Sequence, residues 1–439
     1  MTVRRRRAPG IAAVVATAGL AWAGWVAVRP GPKLEQVIAL AQAGRFDEAL
    51  ALAAEYARRT PESNDIHILI TQIILNRPEP PTPPGGRPDP KPALLALEHL
   101  DRIRIRPDDR SLAAVVALNR GKAEYRLARM DDAEVSWEEA LRLDPGVPEA
   151  GWCLLELYYL QNRPGDARRL ALRLHGVEPD PRDRVQLLLE LVRQDAQPMD
   201  PTSVVQWFEP VVRQNPSDLH ASLTLGLFLV RSSQVDRGLD VLRGAVRRHP
   251  KSPDAWDAWL TGLDDAGQLE LMEQGVSRLP PALADLDRFA RHKARAAQER
   301  GDWKAAARDY RRAWQAAPHD HRLRYRFSRA LRNSGEMAEA ERYEQGYQAY
   351  VAASREIRAL YERANADKAL GVAPRTLLYQ EIANLRERMG LTDEALAWHR
   401  LVLRDEPADP KSRAALTRLE VPNEPGGPRP GSGPSDHVE

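Results

Sequence analysis

Ten histidines and one cysteine are the residues of this 439-residue chain best suited to ligate a metal or attack a substrate. Their spacing organises neither chemistry. No two histidines stand four apart, the separation that puts both imidazoles on one helix face for zinc. His319 and His321 flank Asp320 in a turn, where two ring nitrogens are expected to be solvated. Cys153 sits in the apolar run Trp152–Tyr158 with no histidine or cation within a turn to favour its thiolate, so it reads as a structural thiol. Asp264 and Asp265 are neighbours, and neighbours on a helix point apart, which makes them a solvated helix end rather than a carboxylate pair. Gly121-Lys122 resembles the end of a phosphate loop, but Val116 and Ala123 replace the glycine and hydroxyl that such a loop needs. The sequence is expected to be non-enzymatic, with no cofactor and no metal.

What the chain does concentrate is arginine. Between Arg288 and Arg332 stand fourteen basic and four acidic residues, a net +10 inside a chain whose total charge is +2. Arginine forks bind carboxylates and phosphates two bonds at a time, so this stretch fits a clamp for an acidic segment. The competing reading is a solvated, arginine-rich face, since only eight of the 64 basic residues are lysine. Because 64 basic and 62 acidic residues nearly cancel, no whole-molecule field recruits nucleic acid, and none is expected to bind.

The elements that carry these residues are helices. Apolar residues make up 43% of the chain and aromatics only 6%, which favours an aliphatic helical core over a β-sandwich or barrel. One cysteine excludes an internal disulfide framework. Prolines recur at a fixed interval: Pro145 to Pro179 is 34 residues, Pro216 to Pro250 is 34, and Pro250 to Pro318 is 68. Twelve residues before such prolines stand Ala49, Ala133, Ala167, Ala306 and Ala395, with Gly238 at the same offset before Pro250. A small residue lets two helices cross closely, and proline ends the second of them. Glycine five residues earlier, as at Gly44, Gly301, Gly335 and Gly390, suits the turn that closes the first helix. An aromatic four residues later, Trp137 or Tyr310, lies on the same face and fills the gap.

Gly121, Ala133, Trp137, Ala140 and Pro145 resemble the tetratricopeptide repeat, as do Ala306, Tyr310, Ala313 and Pro318. Leu225, Gly226, Leu242, Ala245 and Pro250 follow the pattern more loosely. The resemblance implies an all-α, right-handed α-solenoid of nine or ten helical hairpins over residues 33–421, ending in a polar helix at Pro410–Glu420. It also implies a protein partner held in a concave groove lined by the first helix of each repeat. The groove positions of that family fall here on Arg288, Arg291 and Arg295, then on Arg322, Tyr325 and Arg329. Departures from the pattern are Val204 at a small position, which predicts a splayed hairpin between Asp183 and Pro216, and a unit shortened near Pro280 and Pro281. A surplus of 21 residues between Ala340 and Ala395 predicts one lengthened helix at about 338–368. Residues 76–92 carry eight prolines and read as a long loop inside a hairpin, and 422–439 as a disordered tail. An enzyme would have to place its site in the divergent stretch 183–218 or in the lengthened helix. A binder of an anionic polymer, an acidic glycan or nucleic acid, would use 288–332.

Residues 1–31 set the expected location. Arg4, Arg5, Arg6 and Arg7 precede eighteen uncharged residues, 11–28, long enough as a helix to span a bilayer. Cationic flanks stay inside, so the expectation is a single-pass anchor with a cytoplasmic N-terminus and an extracytoplasmic repeat region. A signal peptide cleaved near Ala21-Trp22-Ala23 is the alternative, and it too exports the rest. Oligomeric state is not legible.

Overall fold

The computed structural model describes residues 32–78, 89–145, 147–197, 199–317, 320–366 and 372–420. Among these, 22 α-helices and one short 3-10 turn occur and no strand. The residues divide into two compact units: the described residues up to Tyr158 with Pro210–Ala221, and Tyr159–Glu209 with those from Ser222 onward.

The first unit opens with α1 (Pro32–Gln42) against α2 (Phe46–Arg59), and α3 (Asn64–Asn76) against α4 (Lys91–Asp101). Next come α5 (Arg110–Arg126) packed on α6 (Met130–Leu143), and α7 (Pro148–Leu160). Ala49 and Ala133 are completely buried. A Cβ on Gly121 would fall 2.5 Å from the indole nitrogen of Trp137, which donates instead to the Leu118 carbonyl at 3.2 Å. Glycine on one helix thus makes the seat for tryptophan on the other. The proline-rich loop does separate two mutually packed helices, α3 and α4, although its residues 79–88 lie outside the described ones.

The chain continues through α8 (Pro164–Val177), α9 (Pro181–Ala196), α10 (Pro201–Gln214), α11 (Leu219–Arg231) and α12 (Val235–Arg248). Then come α13 (Pro253–Asp265), a nine-residue α14 (Leu269–Ser277), one turn of α15 (Pro281–Ala284), and a 3-10 turn at Asp287–Phe289 that leads into α16 (Ala290–Glu299). The closing helices are α17 (Trp303–Ala316), α18 (His321–Ser334), α19 (Met337–Ala366), α20 (Val372–Arg388), α21 (Thr392–Asp405) and α22 (Pro410–Glu420). The surplus of residues before Ala395 is taken up in α19, which runs 30 residues. Ala167, Ala306, Ala340 and Ala395 are all completely buried, as is Tyr310. Gly226 and Gly238 face each other so closely that a Cβ on Gly238 would lie 2.6 Å from the Gly226 carbonyl oxygen.

Eight of the helix-closing turns share one backbone conformation. Gly44, Gly267, Gly301, Gly335 and Gly390 have φ between 70° and 94°. Ala128, Asn162 and Ser233, each five residues before a small position, adopt the same left-handed region at 56°, 54° and 64°. Packing of the hairpin overrides the usual preference for glycine there.

The second unit departs from a stack in which each repeat touches only its neighbours. Besides α8, α9 contacts α19 and α21, helices far along the chain. Leu188 and Val192 of α9, both fully buried, share one apolar core with Ile357, Ile382 and Trp398. Among the described residues no helix is long and apolar enough to cross a membrane, and residues 11–28 and 422–439 lie outside them.

Candidate partner-binding face

Three helices of the second unit bring the arginines of the sequence motif together, and they bring acids as well. Each is the first helix of its hairpin. α13 presents Asp254, Asp257, Thr261, Asp264 and Asp265; the 3-10 turn and α16 present Arg288, Arg291, His292 and Arg295; α18 presents Arg322, Tyr325, Arg326 and Arg329. Arg288 donates to Asp254 at 2.7 Å, and Arg291 to Asp257 at 2.6 Å and to the Thr261 hydroxyl at 3.0 Å. Arg295 reaches Asp264 at 3.0 Å and also bonds Glu299. Arg326 bonds the second oxygen of Asp264. His292, almost wholly buried, lies 2.8 Å from Asp257 through Nε2.

Electrostatics follow from these contacts. Burial alone would raise the Asp257 carboxyl, but Arg291, His292 and Arg288 together hold it well below the ordinary carboxylate range. Asp264 is lowered likewise against its burial, by Arg326 and Arg295. Burial lowers the His292 imidazole and outweighs the attraction of Asp257. The aspartates read from sequence as a solvated helix end are therefore ion-pair partners: Asp264 of Arg295 and Arg326, Asp265 of Arg231 at 3.3 Å.

The net +10 of residues 288–332 is accordingly offset across helices, by acids that lie just outside that stretch. Besides the α13 aspartates, Arg300 pairs with Glu273, Arg312 with Asp287, and Arg311 at 2.8 Å with both Glu336 and Glu339. Arg288–Asp254, Arg291–Asp257 and Arg231–Asp265 each join residues 34 apart, one repeat length. The signal was present in the sequence. It emerges when charges are compared between equivalent positions of successive repeats rather than summed along a window.

Three of the six groove residues remain open. Arg322 is two-thirds exposed, its guanidinium a loose 3.8 Å from Asp265. Arg329 has no acidic partner among the described residues; its guanidinium stands 6.0 Å from the centre of the exposed Tyr325 ring. Tyr325 leans on Tyr347 of α19, ring centres 5.0 Å apart. Residues 322, 325 and 329 are spaced to share one helix face, so the α18 surface offers cation, ring, cation.

Chemistry elsewhere resolves into structure. His319 lies outside the described residues, while His321 stacks on Tyr350 at 4.4 Å. Burial pushes the Cys153 thiol up to about 12, away from nucleophilic use. Lys122, at the false phosphate loop, pairs with Glu149 at 2.6 Å. One cluster escaped the sequence reading: Asp131, Glu134 and His220 of the first unit place potential ligand atoms within 4.8 Å of one another. Asp131 accepts from His220 Nδ1 at 2.8 Å and from the Leu219 amide, while Asp218 accepts from the Asp131 amide at 3.0 Å and the Ala221 amide at 2.9 Å. These carboxylates cap the facing N-termini of α6 and α11, whose positive ends oppose a cation. Burial and the neighbouring Asp131 raise Asp218 to about 6.

Two family models, both described as tetratricopeptide repeat, match residues 118–181 and 297–364. No curated protein matches the chain. Among solved structures, the Cut9–Hcn1 hetero-tetramer of the APC/C is similar at 14% identity over 92% of this chain and 87% of that one, with a TM-score of 0.32. A thermophilic repeat protein of Thermus thermophilus is 20% identical over 50% of this chain and 99% of its own, TM-score 0.26. A repeat protein from Parabacteroides merdae is 10% identical over 70% and 99%, TM-score 0.29.

Proposed function

We propose that this chain, a tetratricopeptide-repeat protein, is a non-enzymatic, membrane-anchored adaptor that holds an acidic segment of a protein partner on α18. Repeats of this kind typically mediate protein–protein interaction, and that is the coarse function the family assigns. The observation that carries the finer reading is the α18 surface: Arg322 and Arg329 are the groove arginines not already engaged by a close carboxylate, and Tyr325 stands exposed between them. A carboxylate of the partner would take each guanidinium, and an apolar side chain would cover the ring.

The test is titration of the full chain in detergent with a fluorescent acidic peptide. Arg322→Glu with Arg329→Glu is expected to weaken binding at least about tenfold, the loss of one charged hydrogen bond or more. Unchanged affinity would remove α18 as the docking face. The reading as an anionic-polymer binder predicts instead a steep fall of affinity with salt and indifference to partner sequence.

Location belongs to the same proposal. Arg4–Arg7 and the uncharged stretch 11–28 support a cytoplasmic N-terminus and an extracytoplasmic repeat region, which together favour a role in assembling an envelope complex. Deletion of residues 1–31 should move the protein from the membrane pellet to the soluble fraction. Added protease should reach the repeats of the intact protein only from outside the cytoplasm.

A further inference from the structure

The contact between α9 and the helices at the far end of the second unit has an ionic seam. Arg168 of α8 bonds Glu394 of α21, and it donates to Asp195 of α9 at 2.9 Å. Arg386 of α20 bonds the same Asp195 and faces Glu394 at 3.1 Å. The Arg168–Glu394 and Asp195–Arg386 pairs join residues 226 and 191 apart. Arg386 and Glu394 are essentially inaccessible, and Arg386 Nη2 and Glu394 Oε2 have no hydrogen-bond partner among the described residues. Beside the seam, Arg358 of α19 donates to the Ala196 carbonyl at the end of α9 at 3.1 Å.

We infer that this seam is a clasp: α8–α9 and α19–α21 separate and rejoin as a unit, giving the second unit a built-in open state. Two arginines and two carboxylates lose most of their hydration when the clasp shuts; with all four in place their mutual attraction returns only part of that loss, and with one missing it returns less still. Leu188 and Val192 hold the seam shut through apolar contact, while the ion quartet works against them because its members rehydrate on opening. The core of α16–α18 closes on Ala294, Ala306, Tyr310, Phe327 and Leu331, and the charges that tie α16 and α18 to α13, among them Arg291, Arg295, Arg326 and Asp264, all keep more solvent than Arg386 and Glu394. Opening is therefore easier at the clasp than at the neighbouring hairpins. It is also cooperative, because no single member can leave without stranding a buried charge.

Amide hydrogen exchange of the full-length protein tests this without any partner. In the wild type, amides of α8–α9 and α20–α21 should exchange through one common opening, more readily than those of α16–α18. Glu394→Gln removes one charge at nearly constant shape and should speed exchange on both sides of the seam together, by about tenfold, with α16–α18 unaffected. Replacing the quartet by apolar residues (Arg168→Met, Asp195→Leu, Arg386→Met, Glu394→Leu) should slow that exchange below wild type. Acceleration in α21 alone would overturn the clasp. So would wild-type protection at the seam equal to that of α16–α18, whether or not the fourfold variant folds.

Discussion

At the residue scale, the left-handed turn positions make the sharpest prediction. Ala128 and Ser233 occupy a conformation that costs an L-residue about 1–2 kcal/mol and costs glycine nothing. Part of the gain is lost to the greater freedom of glycine in the unfolded chain. Ser233→Gly, at an exposed side chain, should stabilise by about 0.5–1 kcal/mol, read as a higher urea midpoint, whereas at Ala128 the buried methyl offsets the gain and the midpoint should hardly move. The converse holds at Gly238, where an added Cβ meets backbone on both sides: the Gly226 oxygen at 2.6 Å and the Val230 nitrogen at 2.8 Å. Neither can move away as a side chain would, so Gly238→Ala should destabilise by about 2–3 kcal/mol. A buried histidine pair adds a pH dependence. His67 and His99 approach at 2.8 Å between Nδ1 atoms, and His67 Nε2 lies 2.9 Å from the Pro61 carbonyl. Burial first, then His67 and Arg102, lower His99 to about 4. Because the folded value lies below the unfolded one, the unfolded chain binds more protons between about pH 6.5 and 4, and stability falls as pH drops through that window. Relaxation around the protonated ring brings the loss to about 2 kcal/mol. His99→Gln should flatten the slope of unfolding free energy against pH within that window, relative to wild type.

At the element scale, the hairpins were legible because their logic is local. Ala49, Ala133, Ala167, Ala306 and Ala395 recur at one offset from a proline, and each is fully buried where two helices cross. The left-handed turns were half legible: four glycines signalled theirs, while Ala128, Asn162 and Ser233 hid the same geometry behind ordinary residues. The second partner of α9 was not legible. Leu188 and Val192 look like any apolar stripe, and nothing local says that their neighbours lie in α19, α20 and α21. The net charge around Arg288–Arg329 was not readable by counting, since Asp254, Asp257 and Asp264 come from the preceding hairpin. This separates two kinds of arginine variant. Arg291→Glu sets a new carboxylate against the shielded Asp257 and should cost about 3 kcal/mol, seen as a lower melting temperature with binding lost only through unfolding. Arg322→Glu, on an exposed side chain, should leave the melting temperature within about a degree while still weakening the peptide.

At the scale of the whole chain, near-neutrality conceals pairing of charges between successive repeats. Within the total of +2, acids of one repeat answer bases of the next at Asp254 and Arg288 and at Asp257 and Arg291, and a base answers an acid of the next at Arg231 and Asp265. Tandem genes tend to gain and lose copies by slippage, and identical modules survive it because any copy fits beside any other. Here a copy of 287–320 inserted after itself would set Arg288 and Arg291 against their own duplicates instead of against aspartates. Loss of 253–286 would strip both of their counter-ions in one step. The succession of these repeats is thus written into their ion pairs, and a duplication or loss at this point would need new charges on both sides of the cut.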